Sequence, residues 1–396
     1  MFGPIIAIDV SKDSSHAQLF ESFKKPMGKP FVFDHDKQGF DLLSEKLKML
    51  EEFTGEKVSV VLEYTGHYSI PVVRWCLQND VKVYAISPLL SAKFRKKDLR
   101  GTKTDKKDCA NIAGVYFSQD NLRVARPTDP LQELSRRYQR TNKRIVGLKC
   151  QFMKCLDQVF PMFEKKIGDP YADKSINVLI NYSHPEKILK ARRGNLGKFI
   201  AKVTSHTEKV SEKYADELIR FAKDCVSGCS IDSCVTEELS EYGQAIIDLT
   251  EKCESIIARI KEIEGERQIE SVRKVCNFKS SKLIVLILAE IGDISRFKAK
   301  ENLVSYAGMD PVVYQSGEQT GKGLSITRKG NSLLRKYTYL AVCCIIREDP
   351  SSPITQYFQK KIKEGKPAKV ARIACCVKLL RLIHASLTLQ DNFKLV

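Results

Sequence analysis

Two stretches of this chain place mostly apolar residues at alternating spacings of three and four. The first runs Leu131, Leu134, Tyr138, Thr141, Ile145, Leu148, Phe152, Cys155, Val159, and the second Leu239, Tyr242, Ile246, Leu249, Cys253, Ile256, Ile260, Ile263. A heptad rhythm of this length requires long helices, each with one stripe buried against another helix. Two arrangements satisfy it, an antiparallel hairpin within one chain or a seam between chains, and the spacing does not choose between them. Residues 161–235, polar and carrying the run Arg192 to Asn195, read as short helices capping this stalk. The pattern therefore predicts a helical coiled-coil region over 126–272, between an N-terminal domain (1–125) and a C-terminal domain (273–396).

The N-terminal domain reads as α/β. An apolar run from Pro4 to Val10, a polar turn and a second run from His16 to Phe20 signal a hairpin, and Phe31 to Phe33 a third strand. Helical periodicity follows from Gln38 to Phe53. A β-branched strand, Val58 to Leu62, ends on Glu63, a helix runs near Tyr68 to Gln78, and a strand from Val81 to Ile86 leads to a helix opened by Ser87 and Pro88.

Carboxylates mark this domain. Asp9 interrupts an otherwise buried run, where an unpaired charge costs several kcal/mol, on the order of the transfer penalty of a polar group. Glu63 closes a strand, at the sheet edge where ligands of open α/β proteins collect. Asp105 and Asp108 lie one turn apart in a segment predicted helical, so they share a face and repel unless a helix N-terminus, cations or a divalent metal offset them. The plain reading of each is a turn or helix-start residue. Together, four acids on separate elements can converge on a metal site, and paired Mg²⁺ ions stabilise the attacking and leaving oxygens of phosphoryl transfer.

The charge balance supports a polyphosphate partner. The chain of 396 residues carries a net +18 with a pI near 9.2, which bears on partners rather than on fold. Between Lys93 and Lys107, eight basic residues stand against two acidic ones, directly ahead of Asp108; Lys93, Arg95, Lys96, Lys97, Arg100 and Lys103 are candidate phosphate contacts. An anionic membrane is the weaker partner, since the longest strongly apolar run, Leu283 to Ala289, is too short to span a bilayer and no signal-like segment opens the chain. Thirteen cysteines without such a segment argue for reduced thiols in a cytosol. The doublets Cys343/Cys344 and Cys375/Cys376 read as helical core, and Cys225, Cys229 and Cys234 lack the histidine and spacing of a zinc site.

In the C-terminal domain the glycine-rich segment Tyr314 to Asn331 precedes two long helices, one capped by Asn331 and one with Pro367 in its first turn. Ser316, next to Gly317, is either a turn residue or a nucleophile. Lys322, Arg328, Lys329, Arg335 and Lys336 could hold a phosphate around it, and no nearby histidine offers a serine-protease base.

The order Asp9, Glu63, Asp105, Asp108, set in IAIDVSK, LEYTGHY and GTKTDKKDCANIA, resembles the carboxylate domain of the insertion-sequence-110 family of transposases. AEIGDISRF, SYAGMDPVVYQSG and ITRKGNSLLRK are similar to that family's second domain, whose serine falls on Ser316. The resemblance covers both ends and leaves the helical middle without a motif. It implies a RuvC-like, RNase H-like fold for the first domain, Mg²⁺ bound by Asp9, Glu63, Asp105 and Asp108, and a covalent phosphoserine link to DNA at Ser316. It also implies guidance by a structured bridge RNA pairing with donor and target DNA, a homo-oligomer (dimer or tetramer) with a composite site, and action in a prokaryotic cytosol at the nucleoid. The chain departs from many relatives at Val275 to Ser281, where they carry a proline and paired glycines of a helix-hairpin-helix.

Three further readings compete: a guide-independent DNA invertase of the same family, a metal-dependent structure-selective nuclease, and a catalytically silent RNA-binding descendant. Presence of all four acids and the serine speaks against the last. The whole C-terminal domain speaks against the nuclease, which needs only the first.

Overall fold

The computed structural model describes residues 3–64, 66–95, 105–119, 122, 124–127, 129–204, 206–276, 281–311, 315–316, 319–320 and 325–388; at 89, 95, 105–107, 267, 275–276, 315–316 and 319–320 it describes the backbone alone. The chain divides into two compact units, Met1–Thr128 and Asp129–Val396.

The first unit is built on β1 (Ile5–Val10), β2 (Ser14–Ser22), β3 (Lys25–Asp34), α1 (Lys37–Thr54), β4 (Ser59–Glu63), α2 (Ser69–Gln78), β5 (Val83–Ile86), α3 (Pro88–Arg95) and α4 (Asp105–Phe117). Its five strands lie in the order β3-β2-β1-β4-β5. β2 runs antiparallel to both neighbours, while β1, β4 and β5 are parallel. Central β1 is buried on both faces, which is why Ile5 to Ile8 are all apolar. Alternation divides these residues between two layers. Ile6, Ile8, Val60 and Leu62 pack with Leu43, Leu47 and Leu50 of α1 and Val72 and Cys76 of α2, whereas Ile5, Ala7, Val61 and Ile86 pack with Cys109, Ile112, Ala113 and Tyr116 of α4.

The second unit contains α5 (Pro130–Val159), α6 (Phe163–Lys166), α7 (Asp173–Asn181), α8 (Pro185–Lys190), α9 (Arg193–Val203), α10 (Glu208–Asp224), α11 (Cys234–Glu264), α12 (Glu266–Cys276), α13 (Ser281–Ile291), α14 (Lys300–Tyr306), β6 (Gln315–Ser316), β7 (Gln319–Thr320), α15 (Ser332–Glu348), α16 (Pro353–Lys363) and α17 (Ala368–Thr388). The two heptad segments are α5 and α11. They pack antiparallel within the chain: Cys155 donates to Glu238 at one end, and Leu131 and Glu264 line a common cleft at the other. The stripes Leu134, Tyr138, Ile145, Phe152, Val159 and Leu239, Ile246, Cys253, Ile256, Ile260 are thereby buried, so of the two arrangements the rhythm allows, the hairpin within one chain is the one formed. Truncating a fully buried Phe such as Phe152 to Ala costs about 3–5 kcal/mol.

The apolar run at 283–289 forms most of α13, every residue of which from Ile284 to Ile291 is buried. One continuous core extends from Leu134 to Leu387, so helices on both sides of position 272 share it. Three helices follow the glycine-rich segment rather than the two expected: α16 starts where Ser352 caps Ile354 N and Pro353 takes the first turn. Cys375 and Cys376 are core, but Cys343 and Cys344 are only half-buried. Among the described residues, no helix is long and apolar enough to cross a membrane.

Candidate active site

Three of the four acids stand at one end of the first unit, two at strand ends and one on α4. In the parallel pairing of β1 and β4, Ile8 faces Leu62, which puts Asp9 and Glu63 at the next position on adjacent strands, both at carboxyl ends. Asp9 continues the series Ile5, Ala7 and Glu63 continues Val61, so alternation aims both at the face covered by α4. On α4, Asp108 is 9% exposed and precedes Ile112 by one turn, on the helix face that meets the sheet. Cys109 Sγ donates to His16 O at 3.4 Å, and His16 is the cross-strand partner of Asp9, which fixes the amino end of α4 against this strand end. Asp105 opens α4, one turn before Asp108; its backbone alone is described.

Among the described residues, no group of three His, Cys, Asp or Glu side chains is placed closely enough to hold a metal ion. The donor set nonetheless has the chemistry of a hard cation site, carboxylate oxygens and no thiolate or thioether. Sequence reasoning did not mark His16, which stands beside Asp9 on the α4 face; the alternation His16, Gln18, Phe20 opposite Asp9, Ala7, Ile5 was the available signal.

Ser316 lies in the second unit. It pairs with Gln319, and Gln315 with Thr320, in a two-strand hairpin with residues 317 and 318 between the paired positions. The side chains of the hairpin, and all of Lys322, lie outside the described residues. The base of the segment is closed by backbone hydrogen bonds. Asn331 N donates to Tyr306 O (2.7 Å), Arg328 N to Gly308 O (3.1 Å) and Thr327 N to Asp310 O (2.9 Å), and Pro311 bridges Ile326.

This clasp needs its glycines. Gly308 has φ +65°, and a Cβ there would lie 3.0 Å from the Arg328 backbone and from Arg335 Nη1; a Cβ on Gly330 would collide with Tyr306 O. Arg328 itself adopts φ +54°, a conformation that costs a non-glycine residue about 1–2 kcal/mol. Below the clasp, fully buried Glu290 accepts from Asn331 Nδ2 (2.7 Å). Asn331 Nδ2 and Gln132 Nε2 both donate to Tyr306 OH, each at 3.2 Å, and Asn331 Oδ1 caps α15 through Leu333 N and Leu334 N.

The expected phosphate contacts divide. Arg328 and Lys329 are exposed at the clasp and Lys93 is exposed on α3. Arg335 is half-buried and donates from Nη1 to Ala307 O at 2.7 Å, so its guanidinium also fastens the clasp. Arg95 is described by its backbone alone, and Lys96, Lys97, Arg100 and Lys103 lie outside the described residues, as do positions 277–280 of the atypical hairpin entry.

Comparison with known proteins matches two stretches of the chain. A family model described as Transposase covers residues 6–161, which contain all four acids. A second, described as Transposase IS116/IS110/IS902 family, covers 280–357 and contains Ser316. The insertion element IS110 uncharacterized 43.6 kDa protein of Streptomyces coelicolor is 23% identical over 97% of this chain and 94% of its own length. The pilin gene-inverting protein of Moraxella bovis is 23% identical over 89% of this chain and 87% of its own. The insertion element IS900 uncharacterized 42 kDa protein of Mycobacterium paratuberculosis is 24% identical over 72% and 71%. With two family models over residues 6–161 and 280–357 and relatives aligned along most of its length, the chain belongs to the IS110 family of transposases and is a DNA transposase or recombinase.

Proposed function

We propose that this enzyme breaks and rejoins DNA with two sets of groups, the carboxylates Asp9, Glu63, Asp105 and Asp108 and the hydroxyl of Ser316, under the guidance of a structured RNA that pairs with donor and target. The observation that carries the reading is the placement of Asp9 and Glu63 at adjacent strand ends on the sheet face that α4 covers, with Asp108 on the side of α4 that meets the sheet. The strand order, with one antiparallel strand beside a parallel trio, fits an RNase H-like sheet. The four acids are the groups that would hold Mg²⁺, which when bound supplies charge stabilisation to a phosphoryl-transfer transition state.

Ser316 Oγ attacks the phosphodiester phosphorus: an Oγ–P bond forms, the P–O bond to the departing strand breaks, and that strand leaves as a hydroxyl-ended DNA. Attack by the hydroxyl of a new strand reverses these bonds, restores the diester and regenerates the serine, so bond energy is conserved and no high-energy cofactor is consumed. Arg328 and Lys329 flank the hairpin that carries Ser316 and neutralise backbone phosphates. A composite site in an oligomer follows from assigning the two sets of groups to different subunits.

The experiment is trapping on suicide DNA carrying the flanks of the gene. Wild type should give a protein–DNA adduct that survives denaturation and maps to Ser316, and Ser316→Ala should give neither adduct nor cut. Free cut ends with an active Ser316→Ala protein would move the assignment to a hydrolytic nuclease. The similarity to pilin gene-inverting proteins favours a second reading, inversion without a guide. Purified protein that recombines its DNA after ribonuclease treatment would select it.

A further inference from the structure

The antiparallel helix pair of the second unit is segregated by charge. α5 carries seven basic residues and two acidic ones, while α11 carries eight acidic and three basic. Among the described residues no ion pair joins the two helices, so the segregation does not hold them together.

On α5 the cations are concentrated. Arg136, Arg137, Arg140, Lys143 and Arg144 fall within nine residues with no acid between them, and all five are exposed. At 100° per residue they occupy one arc, opposite the buried stripe of Leu134, Tyr138, Thr141 and Ile145. None of the five is drawn into an ion pair among the described residues. A solvated helix face needs charge for solubility, but it gains from mixed signs, and an unbroken run of one sign repels itself.

The stripe also has a direction. Gln139, at its edge, accepts from Lys336 Nζ at 2.9 Å. Lys336 lies on α15 just after Asn331, the residue that closes the clasp below the Ser316 hairpin. We infer that the outer face of α5, continued by Lys336, is a track for the phosphate backbone of the duplex DNA that reaches Ser316. From Arg136 to Arg144 the helix rises about 12 Å, enough to face about three or four phosphates of one strand at 3.4 Å of duplex axis each. The acidic surface of α11 repels the same backbone, so the DNA has one side of the pair available. This assignment to DNA rather than to another polyanion rests on the reading of Ser316 as the group that reacts with DNA.

The test uses the full chain, mixed-sequence duplex DNA, and affinity measured by fluorescence anisotropy over a salt series. Arg136→Gln/Arg140→Gln/Arg144→Gln should weaken binding at least about tenfold at ~0.15 M salt and reduce the log–log salt slope by about 2.7, roughly 0.9 for each phosphate no longer neutralised. Lys198→Gln/Lys202→Gln/Lys223→Gln removes three exposed charges from α9 and α10 and should leave the slope at the wild-type value. Equal slopes in the two triple variants overturn the track. A weakening confined to a hairpin RNA probe, with duplex DNA bound as by wild type, assigns the stripe to RNA and overturns it as well. Trapping Ser316→Ala on suicide DNA separates the underlying reading: cutting by that variant refutes the serine, while the salt slope still decides whether α5 holds duplex DNA.

Discussion

The acid cluster and the serine hairpin are positioned in opposite ways. Asp9 and Glu63 extend strands whose preceding residues are completely buried, and Asp108 sits on a helix packed across them, so three layers of core fix where these oxygens stand. Ser316 is carried on a two-residue strand whose attachments, among the described residues, are at the far end, where Asn331, Arg328 and Thr327 close the loop. The carboxylates therefore belong to a packed core, while the proposed nucleophile lies on a hairpin whose described attachments are at the base of its loop. Rigid elements suit groups that must hold fixed mutual distances, and loops suit groups that must meet a large substrate.

Removing charge without changing shape tests the packed half and should give the largest effect. Glu63→Gln or Asp108→Asn should lower strand cleavage by roughly 10³-fold or more, the scale seen when one preorganised electrostatic group is removed, with the thermal transition nearly unchanged. Full strand exchange by either purified variant would remove the acids from the mechanism. The hairpin should respond differently. Gly330→Ala forces a Cβ into Tyr306 O, and displacing a reacting group by about 1 Å costs roughly 10²-fold. We expect slower adduct formation by about that factor with duplex binding preserved; an unaffected rate would show that the root of the loop does not position Ser316.

A smaller effect is expected one layer below. Glu290→Ala leaves the Asn331 amide without its carboxylate acceptor, a destabilisation of about 1–3 kcal/mol, visible as a melting point lower by a few degrees. Glu290→Gln retains an acceptor oxygen and should recover most of it. If both variants melted alike, the carboxamide–carboxylate bond would not be what supports the clasp.

Sequence periodicity recovered most of this scaffold, and its failures have physical causes. β1, β2, β4 and β5 were legible because their burial follows a simple pattern, and Asp9 was conspicuous as a break in it. β3 runs from Lys25, well before the expected Phe31, because its first half is an exposed edge with little apolar alternation. The heptads announced two long helices but not their partner, since the same stripe serves a hairpin or a dimer. α16 was hidden in a polar stretch, although Ser352 and Pro353 form an ordinary start signal. The fastening role of Arg335 could not be read, because its acceptor is a backbone carbonyl brought close only by the fold. The cations of α5 carry no signal of their own in a heptad pattern, which is defined by the buried side of the same helix.

A half-buried acid outside both sites supplies the last and smallest contrast. Glu264 ends α11 beside Asp129, the residue that caps α5, and burial followed by the Asp129 charge pushes its carboxyl up to about 7. In the unfolded chain a glutamate titrates near 4.3. Between these values the folded protein binds more protons than the unfolded one, so stability from this group is present below the unfolded value and is lost as pH rises through about 7. Glu264→Gln stays neutral throughout. It should melt with wild type near pH 4 and a few degrees above it at pH 8, while cleavage, proposed to use other carboxylates, stays at the wild-type level. A melting difference that does not grow with pH would show that Glu264 ionises at no cost in the fold, and a drop in cleavage would tie the α5–α11 end to the chemistry of the serine hairpin.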